Sequence, residues 1–264
     1  MKNITVILPI YKLGIDEALM LDNALKSVDD FHEEVKVTIV CPLELMVKLD
    51  ELLLETNHEK LEIKKLSNPG ETDFVSQLNL GIEDCNTEWF SILEIDDEYK
   101  KVWLSSMKEF SVAYTNANIL LPIVRDINVE GKFLSFMNES VWAYGFSTDQ
   151  GVIDKELLME YQNFQTSGGL YRTQVIKDNG AFKDNIKLTF SYEFLLRMTN
   201  LDVEIVIVPK VGYQHVNLRE GSLFWLYKND PEWLLSEDEV KFWLESAKKE
   251  FYFKNKREIL YETP

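Results

Sequence analysis

Over the first hundred residues, short runs of β-branched and apolar residues alternate with longer segments whose apolar positions recur at helical spacing. That alternation predicts strand and helix units wound around a mainly parallel sheet. Ile4 to Ile10, Val35 to Cys41, Leu61 to Leu66 and Trp89 to Ile95 read as strands. Helices are expected near Asp16 to Val28, Leu43 to Glu55 and Glu71 to Asp84. In the last of these, Phe74, Val75, Leu78 and Ile82 share the face expected to pack on the sheet, with Asp73, Gln77 and Glu83 elsewhere. Ser67-Asn68-Pro69-Gly70 joins an extended-biased residue before proline to a permissive glycine, which predicts a sharp turn at the carboxyl edge of the third strand. Ligands of open α/β sheets bind at that edge.

Beyond Tyr99 the pattern is less regular. A helix is expected at Val102 to Tyr114, a strand at Ile119 to Val124, a helix at Tyr192 to Thr199, and strands at Val203 to Val208 and Val211 to Val216. Phe133 to Gly151 is rich in aromatics and glycine and suggests an acceptor-side lobe; Phe136, Trp142, Tyr144 and Phe146 would form its core or a stacking platform. A long final helix places Val240, Trp243, Leu244, Ala247 and Phe251 on one face, near Lys248, Lys249, Lys254, Lys256 and Arg257. It would dock on the body or turn its basic side to phosphate.

Composition narrows the function classes. The 264 residues are 45% hydrophobic, enough for one large core or a core with an appended lobe. With 28 basic against 45 acidic residues the net charge is −17, which disfavours a non-specific grip on nucleic-acid phosphates or anionic lipid. Cys41 and Cys85 lack CxxC spacing, and His32, His58 and His215 lie far apart, so neither a disulfide scaffold nor a zinc site is expected. The longest apolar run, Ile119 to Val124, is interrupted by Pro122 and far too short to span a bilayer. The N-terminal apolar stretch reads as a buried strand rather than an export signal, and the cytoplasm is the expected compartment.

The most informative stretch is Phe90-Ser91-Ile92-Leu93-Glu94-Ile95-Asp96-Asp97-Glu98-Tyr99, an apolar strand running into four acidic residues within five positions. Mutual repulsion in such a cluster is relieved by a divalent cation, and hard oxygen ligands suit Mg²⁺ or Mn²⁺ bound with a substrate diphosphate. Because side chains alternate along a strand, Glu94 and Asp96 are expected to point to one side and Ile95 into the core. The alternative is a solvated acidic turn.

Taken in order, Ile4-Thr5-Val6-Ile7-Leu8-Pro9-Ile10-Tyr11, Asn79-Leu80-Gly81-Ile82 and Leu93-Glu94-Ile95-Asp96-Asp97 resemble the family-2 glycosyltransferases of the GT-A fold. The resemblance continues through Gly168-Gly169-Leu170-Tyr171-Arg172, Gly180-Ala181-Phe182 and Tyr192-Glu193-Phe194-Leu195-Leu196-Arg197, and so covers residues 3 to 222. The acidic and Tyr192 to Arg197 segments also look like glycosyltransferases of bacteriophages and large viruses. The resemblance implies a Rossmann-like α/β fold with a mainly parallel sheet, a GT-A domain over 1–222 and a helical extension over 223–264. Residues 1–100 would hold the nucleotide-sugar and 101–222 the acceptor.

What the resemblance implies for individual residues can be stated one by one. Pro9, Tyr11, Asn79, Gly81, Glu94, Arg172, Arg197 and Arg219 would bind the nucleotide-sugar donor, Asp96, Asp97 and His215 would hold Mn²⁺ or Mg²⁺, and Gly168, Gly169 and Trp142 would face the acceptor. Three positions depart from the family's pattern. Glu94 stands where the first acid of the metal motif is usually aspartate, which leaves Asp96 and Asp97 as the expected metal ligands and Glu94 to hold ribose hydroxyls. Val40-Cys41-Pro42-Leu43 stands where many members carry a uracil-reading aspartate, and Ser191 stands at the usual place of the catalytic base. The nearest carboxylate, Glu193, is the expected base, with Asp184 as second candidate. Glu193 and Arg197 at i, i+4 spacing also read as an ordinary salt bridge.

The implied reaction is inverting transfer of a sugar to a hydroxyl acceptor, with a glycan or surface polysaccharide the leading acceptor class. A modified base in viral DNA is an alternative, as is a domain of the same fold that binds glycan or protein without turnover. Sugar-phosphate nucleotidyl transfer would need a glycine-rich basic loop after the first strand, where Pro9-Ile10-Tyr11-Lys12 offers a glycine only at Gly14.

Overall fold

The structure, a computed structural model, describes residues 3–56, 58–70, 73–139, 151–217 and 219–231 together with 241 and 245. Its first half alternates as the pattern predicts: β1 (Ile4–Pro9), α1 (Ile15–Asp29), β2 (Val35–Pro42), a 3-10 turn at Leu43–Leu45, α2 (Met46–Glu55), β3 (Ile63–Asn68), α3 (Phe74–Asp84) and β4 (Trp89–Ile92). The second half adds β5 (Glu98–Tyr99), α4 (Trp103–Ala113), β6 (Ile119–Ile127), β7 (Phe133–Met137), α5 (Lys155–Glu160), β8 (Leu170–Arg172), α6 (Thr173–Asp178), α7 (Phe190–Asn200), β9 (Ile205–Val216) and α8 (Leu223–Asn229).

These strands form one sheet in the order β3-β2-β1-β4-β8-β6-β9-β5, with β7 paired to β6. The β3, β2, β1 and β4 pairs are parallel, as is β6 with β9, while β8 joins the two halves through antiparallel pairs to β4 and β6. Every residue of β1 is buried because both faces of the sheet are covered. Ile7 faces the layer containing Val75, Leu78 and Ile82 of α3, whereas Val6 and Leu8 face Leu21, Ala24, Leu25 and Val28 of α1. Gly81 permits the close approach of α3: a Cβ there would sit 2.5 Å from Cγ2 of Ile7. Its place in the fold is thus a packing contact with β1 and β2.

Three local expectations change. The expected strands Val203 to Val208 and Val211 to Val216 are one strand, because the register against β6 jumps from Pro122↔Val208 to Ile123↔Val211 and a bulge absorbs Pro209 and Lys210. Gln77 is fully buried despite lying off the apolar face of α3, where its amide donates to the Ile10 carbonyl at 3.0 Å. The aromatic stretch does not begin as a lobe core: on β7, Phe133 and Phe136 are each 44% exposed. Trp142, Tyr144 and Phe146 lie outside the described residues, as do the apolar face and basic side of the expected final helix.

Candidate functional site

The strand carrying the acidic motif ends earlier than its sequence suggests. β4 stops at Ile92, Leu93 still donates to the Ile7 carbonyl, and a turn closes with the Asp97 N–H on the Glu94 carbonyl at 3.2 Å. Glu94, Ile95 and Asp96 therefore line one cleft together, although Ile95 remains largely buried. This cleft sits at the carboxyl edge of β1 and β4, where Pro9 and Tyr11 form part of its wall.

The turn is held from several sides. Tyr213, fully buried on β9, accepts the Glu94 N–H with its hydroxyl oxygen at 3.0 Å. Tyr213 in turn packs against Gly168, which has φ +78° and where a Cβ would lie 2.4 Å from the Tyr213 ring. Ser167 donates to Glu94 Oε1 at 2.6 Å. Asp97, 1% exposed, accepts from the Val216 N–H at 2.9 Å and faces His215 Nδ1 at 3.0 Å. Asp96 accepts from Arg219 Nε at 2.5 Å, and Arg219 also approaches Glu17 at 3.5 Å. The Tyr11 hydroxyl donates to the Gly221 carbonyl at 2.8 Å, tying the first strand's loop to the segment that carries Arg219.

Crowding of like charge shows in the titration of these groups. Burial, then the Asp97 charge, raises Glu94 to about 7 against the opposing pull of His215. Asp96 is raised by burial and by Asp97, with Arg219 working the other way. For His215, burial favours the neutral ring, but the charge and hydrogen bond of Asp97, helped by Glu94 and Asp96, lift it to about 10. Without a cation the surrounding carboxylates thus favour the charged ring, and a cation bound by His215 would take the place of its proton.

Candidate ligand atoms of Glu94, Asp97 and His215 all lie within 4.8 Å of one another. Two carboxylates and an imidazole at that separation suit a divalent cation such as Mn²⁺. Asp96, expected as a ligand, belongs to the same cleft but is paired with Arg219.

Other expected site residues are placed elsewhere. Neither Glu193 nor Asp184 lines the cleft. Glu193 is fully buried and bridged by Lys183 at 3.2 Å and Arg197 at 3.0 Å, the salt bridge that its spacing allowed. Arg197 also donates to the carbonyls of Asn179 and Ala181, which leaves its guanidinium committed to the fold. Asp184 lines a separate polar depression with Asn68, Ser76 and Lys187. Asn79 clasps the backbone of Phe182 through both the carbonyl (2.7 Å) and the N–H (3.1 Å). Arg172 pairs with Glu88 and lies over the Trp89 ring, at the end of β4 where the strand begins and so opposite the acidic turn. Gly168 and Gly169 do not line the cleft but pack closely on Tyr213, Leu121 and Tyr171. Trp142 lies outside the described residues.

One wall was missed in the sequence. Phe224, Trp225, Lys228 and Asn229 of α8 line the cleft, while Phe224 packs on Phe74 and Phe190 with ring centroids 5.7 and 6.0 Å away. The expected boundary after residue 222 therefore falls within the cleft wall. The available signal was Ser222, whose hydroxyl caps α8 through the Trp225 N–H at 3.2 Å, followed directly by an apolar run.

No protein-family model and no curated protein sequence matches this chain. Solved structures do. The structure of S. aureus TarS 1–349 in complex with UDP-GlcNAc superposes with a TM-score of 0.69 at 17% identity, over 95% of this chain and 66% of that one. A mannosyltransferase, PcManGT from Pyrobaculum calidifontis in complex with GDP-Man and Mn²⁺, gives 0.59 at 12% identity, over 83% of this chain and 58% of that one. The chain has the mixed α/β, mainly parallel-sheet architecture of GT-A glycosyltransferases. It spans just under two thirds of the length of the TarS 1–349 chain. No helix among the described residues is long and apolar enough to cross a membrane.

Proposed function

We propose that the chain is a nucleotide-sugar-dependent glycosyltransferase that uses a divalent cation and transfers its sugar, with inversion, to a hydroxyl acceptor. The observation that carries this reading is the convergence of Glu94, Asp97 and His215 within 4.8 Å at the carboxyl edge of a GT-A sheet. The donors bound by the two superposed proteins, UDP-GlcNAc and GDP-Man, support it as relatives in fold.

A cation bound by these three residues would supply charge neutralisation for a departing diphosphate. The chain's own groups do the rest. Arg219 carries a bidentate guanidinium suited to the same diphosphate, and in the free protein Asp96 holds it at the cleft. Tyr11, Phe74 and Phe224 offer aromatic faces to the nucleoside, and Trp225 with Asn217 and Asn229 offers a ring and amides to a sugar. The base that deprotonates the acceptor is not assigned to Glu193, since it is fully buried, ion-paired with Lys183 and Arg197, and away from the cleft.

A carbohydrate acceptor fits the net charge of −17 better than DNA, because nucleic-acid binding rests on phosphate neutralisation by basic groups. The experiment is calorimetric titration of nucleoside diphosphates, UDP and GDP among them, into the protein with Mn²⁺ and again with chelator. Saturable binding of one nucleotide that chelator abolishes supports the reading and identifies the base. Absence of binding across the panel refutes it. Product anomers from the matching donor then report whether configuration inverts.

A further inference from the structure

Asp126 lies on β6 in parallel register with His215 of β9, so the two side chains leave the same face of the sheet on neighbouring strands about 4.8 Å apart. On its other flank it faces Ser135 of β7. Asp126 is 4% exposed, and its two carboxylate oxygens differ. Oδ2 accepts from Asn217 at 3.1 Å and from Ser135 at 3.3 Å. Oδ1 is buried with no hydrogen-bond partner among the described residues. Leaving a carboxylate oxygen unpaired inside a protein is costly. Asn217 lines the cleft two residues beyond His215, so Oδ2 already braces the wall that carries a candidate cation ligand.

We propose that Asp126 is a positioning residue of the cation site. Through Oδ2 it fixes Asn217 and the end of β9, and through Oδ1 it accepts a hydrogen bond from a water of hydration brought in with a divalent cation at Glu94, Asp97 and His215. Mg²⁺ and Mn²⁺ sites keep such waters, and carboxylates beyond the direct ligands commonly set their affinity. The inference rests on the cation-dependent reading above but concerns a residue that reading does not use.

The test measures Mn²⁺ binding to the intact chain by electron paramagnetic resonance of the free ion, without any turnover. Asp126→Asn keeps an acceptor for Asn217 but removes the charge, and it should weaken Mn²⁺ by roughly 10- to 100-fold. Ser135→Ala removes only the contact on the other flank and should leave the affinity within about twofold of the parent. Thermal midpoints measured without metal serve as the structural control, and Asp126→Ser stands in if the asparagine variant does not fold. Parent-like Mn²⁺ affinity in a folded Asp126 variant overturns the proposal while leaving the proposed function intact. Equal weakening by Ser135→Ala also overturns it, since packing of the β7 flank would then explain the effect. Absence of Mn²⁺ binding in the parent overturns both.

Discussion

Gly168→Ala is a sharp probe of how the fold holds the acidic turn. Gly168 has φ +78°, and so does Gly131, but a Cβ at 131 meets nothing within 4 Å among the described residues, whereas one at 168 lies 2.4 Å from Tyr213 Cγ and 2.5 Å from Cδ2. Both substitutions incur the left-handed cost of about 1–2 kcal/mol. Carbon atoms rest at roughly 3.5–4.0 Å, so at 168 the buried ring must move by more than about 1 Å. The ring is enclosed, with Tyr99 edge-on at 5.4 Å and its hydroxyl engaged by the Glu94 N–H. Overpacking of that kind adds about 1–3 kcal/mol, for a total near 2–5 kcal/mol at position 168. Urea unfolding of both variants should show Gly168→Ala less stable than Gly131→Ala by about 1–3 kcal/mol. Because displacing Tyr213 moves Glu94, only Gly168→Ala should also weaken Mn²⁺-dependent nucleotide binding. Equal stability and equal binding in the two variants would refute this account of the turn.

Glu193→Gln should cost about 3–5 kcal/mol in urea unfolding, because it removes the fully buried negative charge that faces Arg197 and Lys183; a fully stable variant that binds donor but fails in turnover would restore Glu193 as the base. Asp73 caps α3 through the N–H groups of Val75 and Ser76 and pairs with Lys187 at 3.0 Å, so Asp73→Ala should lose about 0.5–2 kcal/mol. Burial raises the Asp73 carboxyl, but hydrogen bonds from Ser76 and Lys187 outweigh it and hold it below its ordinary value. Its contribution is therefore complete above the unfolded value near about pH 4 and is lost as pH falls through the lower folded value, so the cost of the alanine variant should shrink on acidification. Mn²⁺ at about 100 times its dissociation constant should raise the unfolding free energy by about 2.7 kcal/mol, and Asp97→Asn should abolish the gain.

The sheet was legible because β1, β2 and β4 are buried on both faces and read as continuous apolar runs, with amphipathic helices between them. The acidic turn was legible for a related reason: four carboxylates directly after an apolar strand at a sheet edge ask for a compensating charge. What the chain order concealed was pairing at a distance. The Glu193–Arg197 bridge was already allowed by its i, i+4 spacing, but only the structure shows that Lys183 joins it and that Arg219, 123 positions away, reaches Asp96. Arg172 looked like a phosphate ligand because of its bidentate fork and its family-like segment, and the antiparallel pairing of β8 with β4 carries it to the end of the strand opposite the acidic turn. Asp126 carried no sequence signal, since its relation to His215 depends on the register of β6 against β9.

The central claim is that Glu94, Asp97 and His215 hold a cation against a nucleotide diphosphate, and the most direct test is a crystal structure with Mn²⁺ and the nucleotide selected by calorimetry, read at the manganese absorption edge. The account predicts one anomalous peak among these three side chains, the diphosphate beside it, and Arg219 turned from Asp96 toward the phosphates. A peak elsewhere, or a nucleotide bound outside the cleft between Tyr11 and Phe224, would contradict it.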